Sequence, residues 1–150
     1  MEGILKDENT NLFLEDLKQF CGRISFFGML NSLAQTLLKS TAPGIPDFYQ
    51  GTELWDLSLV DPDNRRPVAY EKRIQSLSEI FEKTKKDSLE FIQELWSKKT
   101  DGRIKLFTIF RALQARKSAP SLFSFGTYHP VSIRGKLKNH LIAFARRHGS

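Results

Sequence analysis

Over residues 11–40 the apolar side chains return every three or four positions, and that spacing demands a long helix. Leu14, Leu17, Cys21, Ile24, Phe27 (or Phe26), Leu30, Leu33, Leu37 and Leu38 fall on one face of a 3.6-residue period. Asn9 and Thr10 offer cap oxygens, and Glu15 and Asp16 suit the positive end of the helix. Gly22 and Gly28 weaken the middle and leave room for a break near Cys21. The run T-A-P-G at residues 41–44 ends the pattern. On this face Cys21 reads as a buried structural residue, since the three His lie far off in sequence and offer no catalytic partner.

Three further stripes follow the same period. Ile74, Leu77, Ile80 and Phe81 make the first, from about Val68. Phe91, Ile92, Leu95 and Trp96 make the second, with Asp87 or Ser88 as cap. Ile104, Phe107, Phe110 and Leu113 make the third, with Asp101 as cap and residues 117–120 as the stop. Twelve Phe and two Trp supply a core, each large aromatic burying roughly 150–250 Å². From Leu122 the period changes to two: Phe123 and Phe125 alternate, Val131 and Ile133 alternate, and residues 141–145 form a last strand, with turns at Gly135 and Asn139. A hairpin this small is marginal alone, and its open edges invite another strand. The expected fold is mostly α with a small antiparallel β element, an α+β chain. Residues 1–120 form its helical region and residues 121–150 its β hairpin.

Composition narrows the function classes. With 150 residues the chain cannot hold a complete (β/α)₈ barrel, which takes about 250. Lys and Arg number 23 against 17 Asp and Glu, a net charge of +6. The excess is spread out, apart from Arg134, Lys136, Lys138, Arg146, Arg147 and His148 near the end, and reads as a solvated face before a nucleic-acid site. The single cysteine excludes an intrachain disulfide and points to a reducing cytoplasm. No apolar signal core opens the chain, and no stretch approaches the roughly 20 apolar residues of a membrane span. Gly-rich phosphate loops, metal-spaced His or Cys clusters and nucleophile elbows are all missing, so neither cofactor nor metal is expected.

The informative stretch is residues 41–70, T-A-P-G-I-P-D-F-Y-Q-G-T-E-L-W-D-L-S-L-V-D-P-D-N-R-R-P-V-A-Y. Residues 45–50 read as a short strand, at an edge because Pro46 withholds a donor. It delivers Tyr49, Gln50 and Glu53 into an irregular loop over residues 51–67, carrying Trp55, Asp56, Asp61, Asp63, Asn64, Arg65 and Arg66. Sugars are held by this mixture of an aromatic face with carboxylates and arginines for paired hydroxyls. The same groups also suit the plainer task of bracing a loop through Asp–Arg pairs.

The run P-G-I-P-D-F-Y-Q-G-T-E-L resembles the segment at the eighth barrel strand of the α-amylase superfamily. Its continuation, W-D-L-S-L-V-D-P-D-N-R-R-P-V, resembles one branch, the maltooligosyl trehalose synthases. The match is dense over residues 33–70. It continues more thinly in R-A-L-Q-A-R-K-S-A-P-S-L-F, G-T-Y-H-P-V and H-L-I-A-F-A-R-R, which resemble the family's path into its C-terminal β domain. Ala69 departs from the pattern, where Asp is expected.

The resemblance implies an incomplete piece of a (β/α)₈-barrel enzyme. That enzyme converts the reducing-end α-1,4 link of a maltooligosaccharide to α-1,1. Residues 45–50 would be the last barrel strand and residues 121–150 the start of the C-terminal domain. Gln50 and Glu53 would lie at the strand's rim. Asp61, Asn64, Arg65 and Arg66 would line or brace the acceptor side of the sugar site. The catalytic carboxylates belong to earlier strands with no counterpart here, so no catalytic residue is assigned, and Glu53 with Asp61 is not the acid/base pair. Expected partners are maltooligosaccharide, a second copy of the chain or the missing N-terminal part of the enzyme. The other reading is a stand-alone helical interaction module without sugar chemistry.

Overall fold

The computed structural model describes residues 11–59, 65–85 and 88–149. The chain divides into two compact units, Met1–Gln35 and Thr36–Ser150.

The first unit is most of helix α1 (Leu12–Thr41), whose end belongs to the second. Asn11 caps it, its Oδ1 accepting the Leu14 amide at 3.1 Å. No break occurs at Gly22. Both Gly22 and Gly28 face open space, and a helical glycine costs only about 1 kcal/mol, so thirty residues run through without interruption. Cys21 is exposed, which corrects the buried position expected for it. The stripe on which it lies is only partly covered: Ile24, Phe27 and Leu37 are each at least half exposed, while Leu14, Leu17, Leu30, Leu33 and Leu38 are half-buried.

The second unit contains α2 (Tyr70–Lys83), α3 (Ser88–Ser97), α4 (Arg103–Ser118), α5 (Pro120–Phe125), β1 (Thr127–Pro130) and β2 (Phe144–Arg147). Its core is Leu54, Ile80, Phe91, Leu95 and Leu106, with Ile104, Phe107 and Phe110 packed against it. Phe91 meets Phe107 edge to face at 6.0 Å, and Phe81 meets Phe110 in the same way at 6.5 Å. The three stripes thus reach the core in part: Ile80, Phe91 and Leu95 are buried and Ile104, Phe107 and Phe110 pack against them, while Ile74, Leu77, Phe81, Ile92, Trp96 and Leu113 stay exposed. β1 and β2 form a two-stranded antiparallel sheet pairing Thr127 with Arg147 and Pro130 with Phe144.

Three expected strands are not strands, and the one expected over residues 141–145 forms only from Phe144. Residues 131–133 are irregular, since β1 ends at Pro130. Phe123 and Phe125 belong to α5, because Pro120 opens a helical turn at no hydrogen-bond cost and Phe123 donates to the Ala119 carbonyl at 3.2 Å. Residues 45–50 are irregular, with no strand beside them among the described residues. Side chains hold them instead. Lys39 Nζ donates to the Asp47 carbonyl at 2.7 Å while lying 4.0 Å over the Phe48 ring. Arg116 donates to the carbonyls of Ser40 (3.1 Å) and Gly44 (3.0 Å). A third cation, Arg146 of β2, donates to Thr41 O at 3.2 Å and Gly126 O at 2.7 Å, tying the end of α1 to the end of α5. Among the described residues no helix is long and apolar enough to cross a membrane.

Candidate functional site

The loop after residue 49 begins with a tight turn. Gly51 has φ +92°, a left-handed value that favours glycine, and the Thr52 amide and hydroxyl both donate to Tyr49 O, at 3.1 and 2.7 Å. The turn projects Gln50 and Glu53, and Leu54 then plugs into the core at 4% exposure. That anchor fixes where Trp55 can lie, and the indole Nε1–H donates to Lys99 O at 2.7 Å. Lys105 lies half buried beneath this corner, 3.5 Å from Leu54 O and 5.8 Å from the Trp55 ring centre. Burial first, and then the charge of Lys39, pushes its ammonium below the usual lysine range.

Arg73, in the first turn of α2, organises the base of the loop. Its Nε donates to Glu53 Oε2 at 2.8 Å and one terminal nitrogen donates to Ala69 O at 3.0 Å. The other terminal nitrogen donates to Gly51 O. Tyr70, which opens the same turn three residues earlier, donates its hydroxyl to Gln50 Oε1 at 3.0 Å. Asp56 accepts from the Ser58 amide at 3.0 Å and the Ser58 hydroxyl at 2.5 Å, and Arg66 reaches the same oxygen at 3.3 Å. The Ser58 hydroxyl above all, with its amide and Arg66, holds the Asp56 carboxyl below the ordinary carboxylate range.

These groups border a polar cleft of about 220 Å³, lined among others by Gln50, Trp55, Asp56, Arg66 and Arg73. Of the residues singled out from sequence, Gln50, Trp55, Asp56 and Arg66 line it, and Glu53 joins it through Arg73. Arg65 is exposed and lies off the lining. Asp61 and Asn64 fall outside the described residues. Sequence reasoning missed Tyr70 and Arg73. Their i, i+3 spacing, in the first turn after the loop, puts both on one helix face, and that is the signal which could have found them. Among the described residues no group of three His, Cys, Asp or Glu could hold a metal ion.

Because Arg73 gathers one carboxylate and two backbone carbonyls, Arg73→Met is expected to cost about 2 kcal/mol in urea unfolding. Tyr70→Phe, which loses one exposed hydrogen bond, is expected to cost less than about 1 kcal/mol in the same assay.

No family model matches the chain. Over 116 residues, 77% of its length, it is 40% identical to sequences named maltooligosyl trehalose synthase in Mycobacterium tuberculosis, strains CDC 1551 / Oshkosh and ATCC 25618 / H37Rv. It spans 12% of those relatives. The crystal structure of a maltooligosyl trehalose synthase superposes on 92% of this chain with a TM-score of 0.74 and 36% identity, using 18% of its own length. The enzyme of Arthrobacter ramosus covers 97% of this chain, with a TM-score of 0.69 and 36% identity, using 17% of its length. The resemblance carried by residues 41–70 thus extends over most of the chain, and in both sequence and fold it belongs with the maltooligosyl trehalose synthases, matching a segment of them.

Proposed function

We propose that this chain supplies the last-barrel-strand loop of a maltooligosyl trehalose synthase, contacts maltooligosaccharide there, and depends on the remainder of the enzyme for the chemical step. In this reading it is an incomplete portion of a (β/α)₈ barrel. Residues 45–50 hold the place of the last strand, and residues 121–150 open the C-terminal β domain. Gln50, Arg66 and the indole of Trp55 meet the sugar hydroxyls and ring face, with Glu53 set by Arg73; Asp61, Asn64 and Arg65 extend the acceptor side. A lone cysteine suits the reducing cytoplasm.

Moving the reducing-end link from α-1,4 to α-1,1 by retaining chemistry takes a carboxylate nucleophile and a carboxylic acid about 5–5.5 Å apart. Glu53 is committed to Arg73, and Asp56 is kept ionised by Ser58 and Arg66. Asp56 is therefore not the proton donor, and both carboxylates, each engaged by an arginine, act as positioning groups. The observation that carries the reading is 40% identity over 77% of the chain, in a fold whose loop encloses a polar cleft with an aromatic wall.

The test is a titration of the ¹⁵N-labelled chain with maltopentaose, with the anomeric proton signals followed in the same tube. Shifts are expected at Gln50, the Trp55 indole N–H and Arg66, and no trehalose-end signal should grow. An unmoved spectrum overturns the sugar contact, and appearance of product overturns the dependence on the rest of the enzyme.

A further inference from the structure

Within the first turns of α1 the apolar side chains, exposed at Phe13, Phe20 and Ile24 and half-buried at Leu14 and Leu17, follow a rhythm finer than amphipathicity. Phe13, Leu17, Phe20 and Ile24 alternate spacings of four and three, the 3.5-residue repeat of a coiled-coil seam, with the phenylalanines at d and Leu17 and Ile24 at a. Phe13, Phe20 and Ile24 are 53%, 53% and 50% exposed. The seam has two unlike flanks. Leu14 and Cys21 border it at e, while Asp16 and Arg23, both exposed, border it at g.

We propose that this face is the docking surface for a second copy of the chain, the two helices running antiparallel about a two-fold axis between residues 18 and 19. Antiparallel helices bring e against e and g against g. In this register Phe13 meets Ile24 of the second copy and Leu17 meets its Phe20. Asp16 then lies against Arg23 of the second copy on one flank, and Leu14 against Cys21 of the second copy on the other. The two-fold axis repeats every contact, so each ionic and each apolar pair forms twice.

Charge selects this occupant and this register. A shift of one heptad sets Arg23 against its own copy. A parallel, in-register pair sets Asp16 near Cys21 and Arg23 near Gly28, with no ionic match. Only the proposed arrangement pairs the charged flank with charge and the apolar flank with apolar groups. It rests on α1 alone and stands whether or not the loop binds sugar.

The test uses the full chain. Sedimentation equilibrium over a micromolar concentration series is expected to show a monomer–dimer equilibrium. Asp16→Arg should raise its dissociation constant about tenfold, and the double variant Asp16→Arg/Arg23→Asp should restore it. Leu14→Cys supplies an independent readout. The introduced thiol at position 14 and the native Cys21 are seven residues apart on one helix, roughly 10.5 Å of rise, too far for an internal disulfide. Mild oxidation should therefore yield a covalent dimer whose linked peptides join position 14 to position 21. A chain that stays monomeric, a dimer indifferent to the charge reversal, or like-to-like cysteine links overturns the proposal. If Leu14→Cys lowers helicity by circular dichroism, the charge-swap series decides alone.

Discussion

Arg103→Met is expected to remove about 3 kcal/mol of stability, read as a fall in the urea midpoint at unchanged slope. The side chain is 12% exposed and binds three carboxylates: Asp101 and Glu79 at 2.8 Å and Glu94 at 3.2 Å. Lys83 joins Glu79 (2.8 Å) and Glu94 (2.6 Å), so α2, α3 and the start of α4 share one ionic cluster. Removing the guanidinium takes away the ion-pair partner of Asp101 and leaves Glu79 and Glu94, both partly buried, to the more exposed Lys83 and Lys98. Glu94 gives the cluster a pH signature. Its carboxyl is held at about 2 instead of 4.5, first by the Lys83 hydrogen bond, against desolvation, and then by Lys98 and Arg103. A pKa lowered on folding stabilises above 4.5, and that contribution drains away as pH falls towards 2. After allowance for solvent screening it amounts to about 1–2 kcal/mol. The wild-type chain should lose that much between pH 4.5 and 2, and Arg103→Met should lose less.

Gly102→Ala is expected to destabilise by about 2–4 kcal/mol in the same assay. Its φ is +85°, and an added Cβ would stand 2.9 Å from the backbone nitrogen of Trp55 and 3.1 Å from Leu54 Cβ. Neither neighbour is the tip of a flexible side chain, so the loop and the start of α4 must separate. Gly135→Ala isolates the conformational part, since φ there is +113° but the surroundings are empty, and about 1 kcal/mol is expected. Gly102→Ala should also shift the Trp55 indole N–H resonance, because its acceptor, Lys99 O, lies just before the glycine. Gly135→Ala should leave it in place.

The four long helices were legible because their stripes are long enough for period to decide, and Ile80, Phe91 and Leu95 of the core follow from those stripes, but on α4 the buried face is Leu106, Ile109 and Ala112, beside the stripe that the spacing picks out. The short elements were not. Phe123 and Phe125 alternate like a strand, yet Pro120 starts a helical turn, and two apolar residues cannot arbitrate between the periods. Residues 45–50 have strand composition, but a strand also needs a neighbour, and composition says nothing of neighbours. Cys21 falls on the apolar stripe of α1 but is open, since a stripe shows which side can be covered and not whether it is. In the site, Gln50, Glu53 and Arg66 could be read from the loop's chemistry. Arg73 was missed because its partners are two backbone carbonyls and a carboxylate 20 residues away; only its i, i+3 spacing from Tyr70 pointed to it.

Arg146 joins the last strand to the end of the first helix across 105 residues of chain. Closing a loop of that length costs about 4 kcal/mol in chain entropy, and the contact repays none of it until both ends have formed. The sequence of events follows. The helices, whose contacts are local, can assemble early, while Thr41 O waits for its donor until β1 and β2 have paired and swung onto α5. Hairpin docking is thus the expected late step in assembling this unit, and its reversal would free the ends of two helices at once.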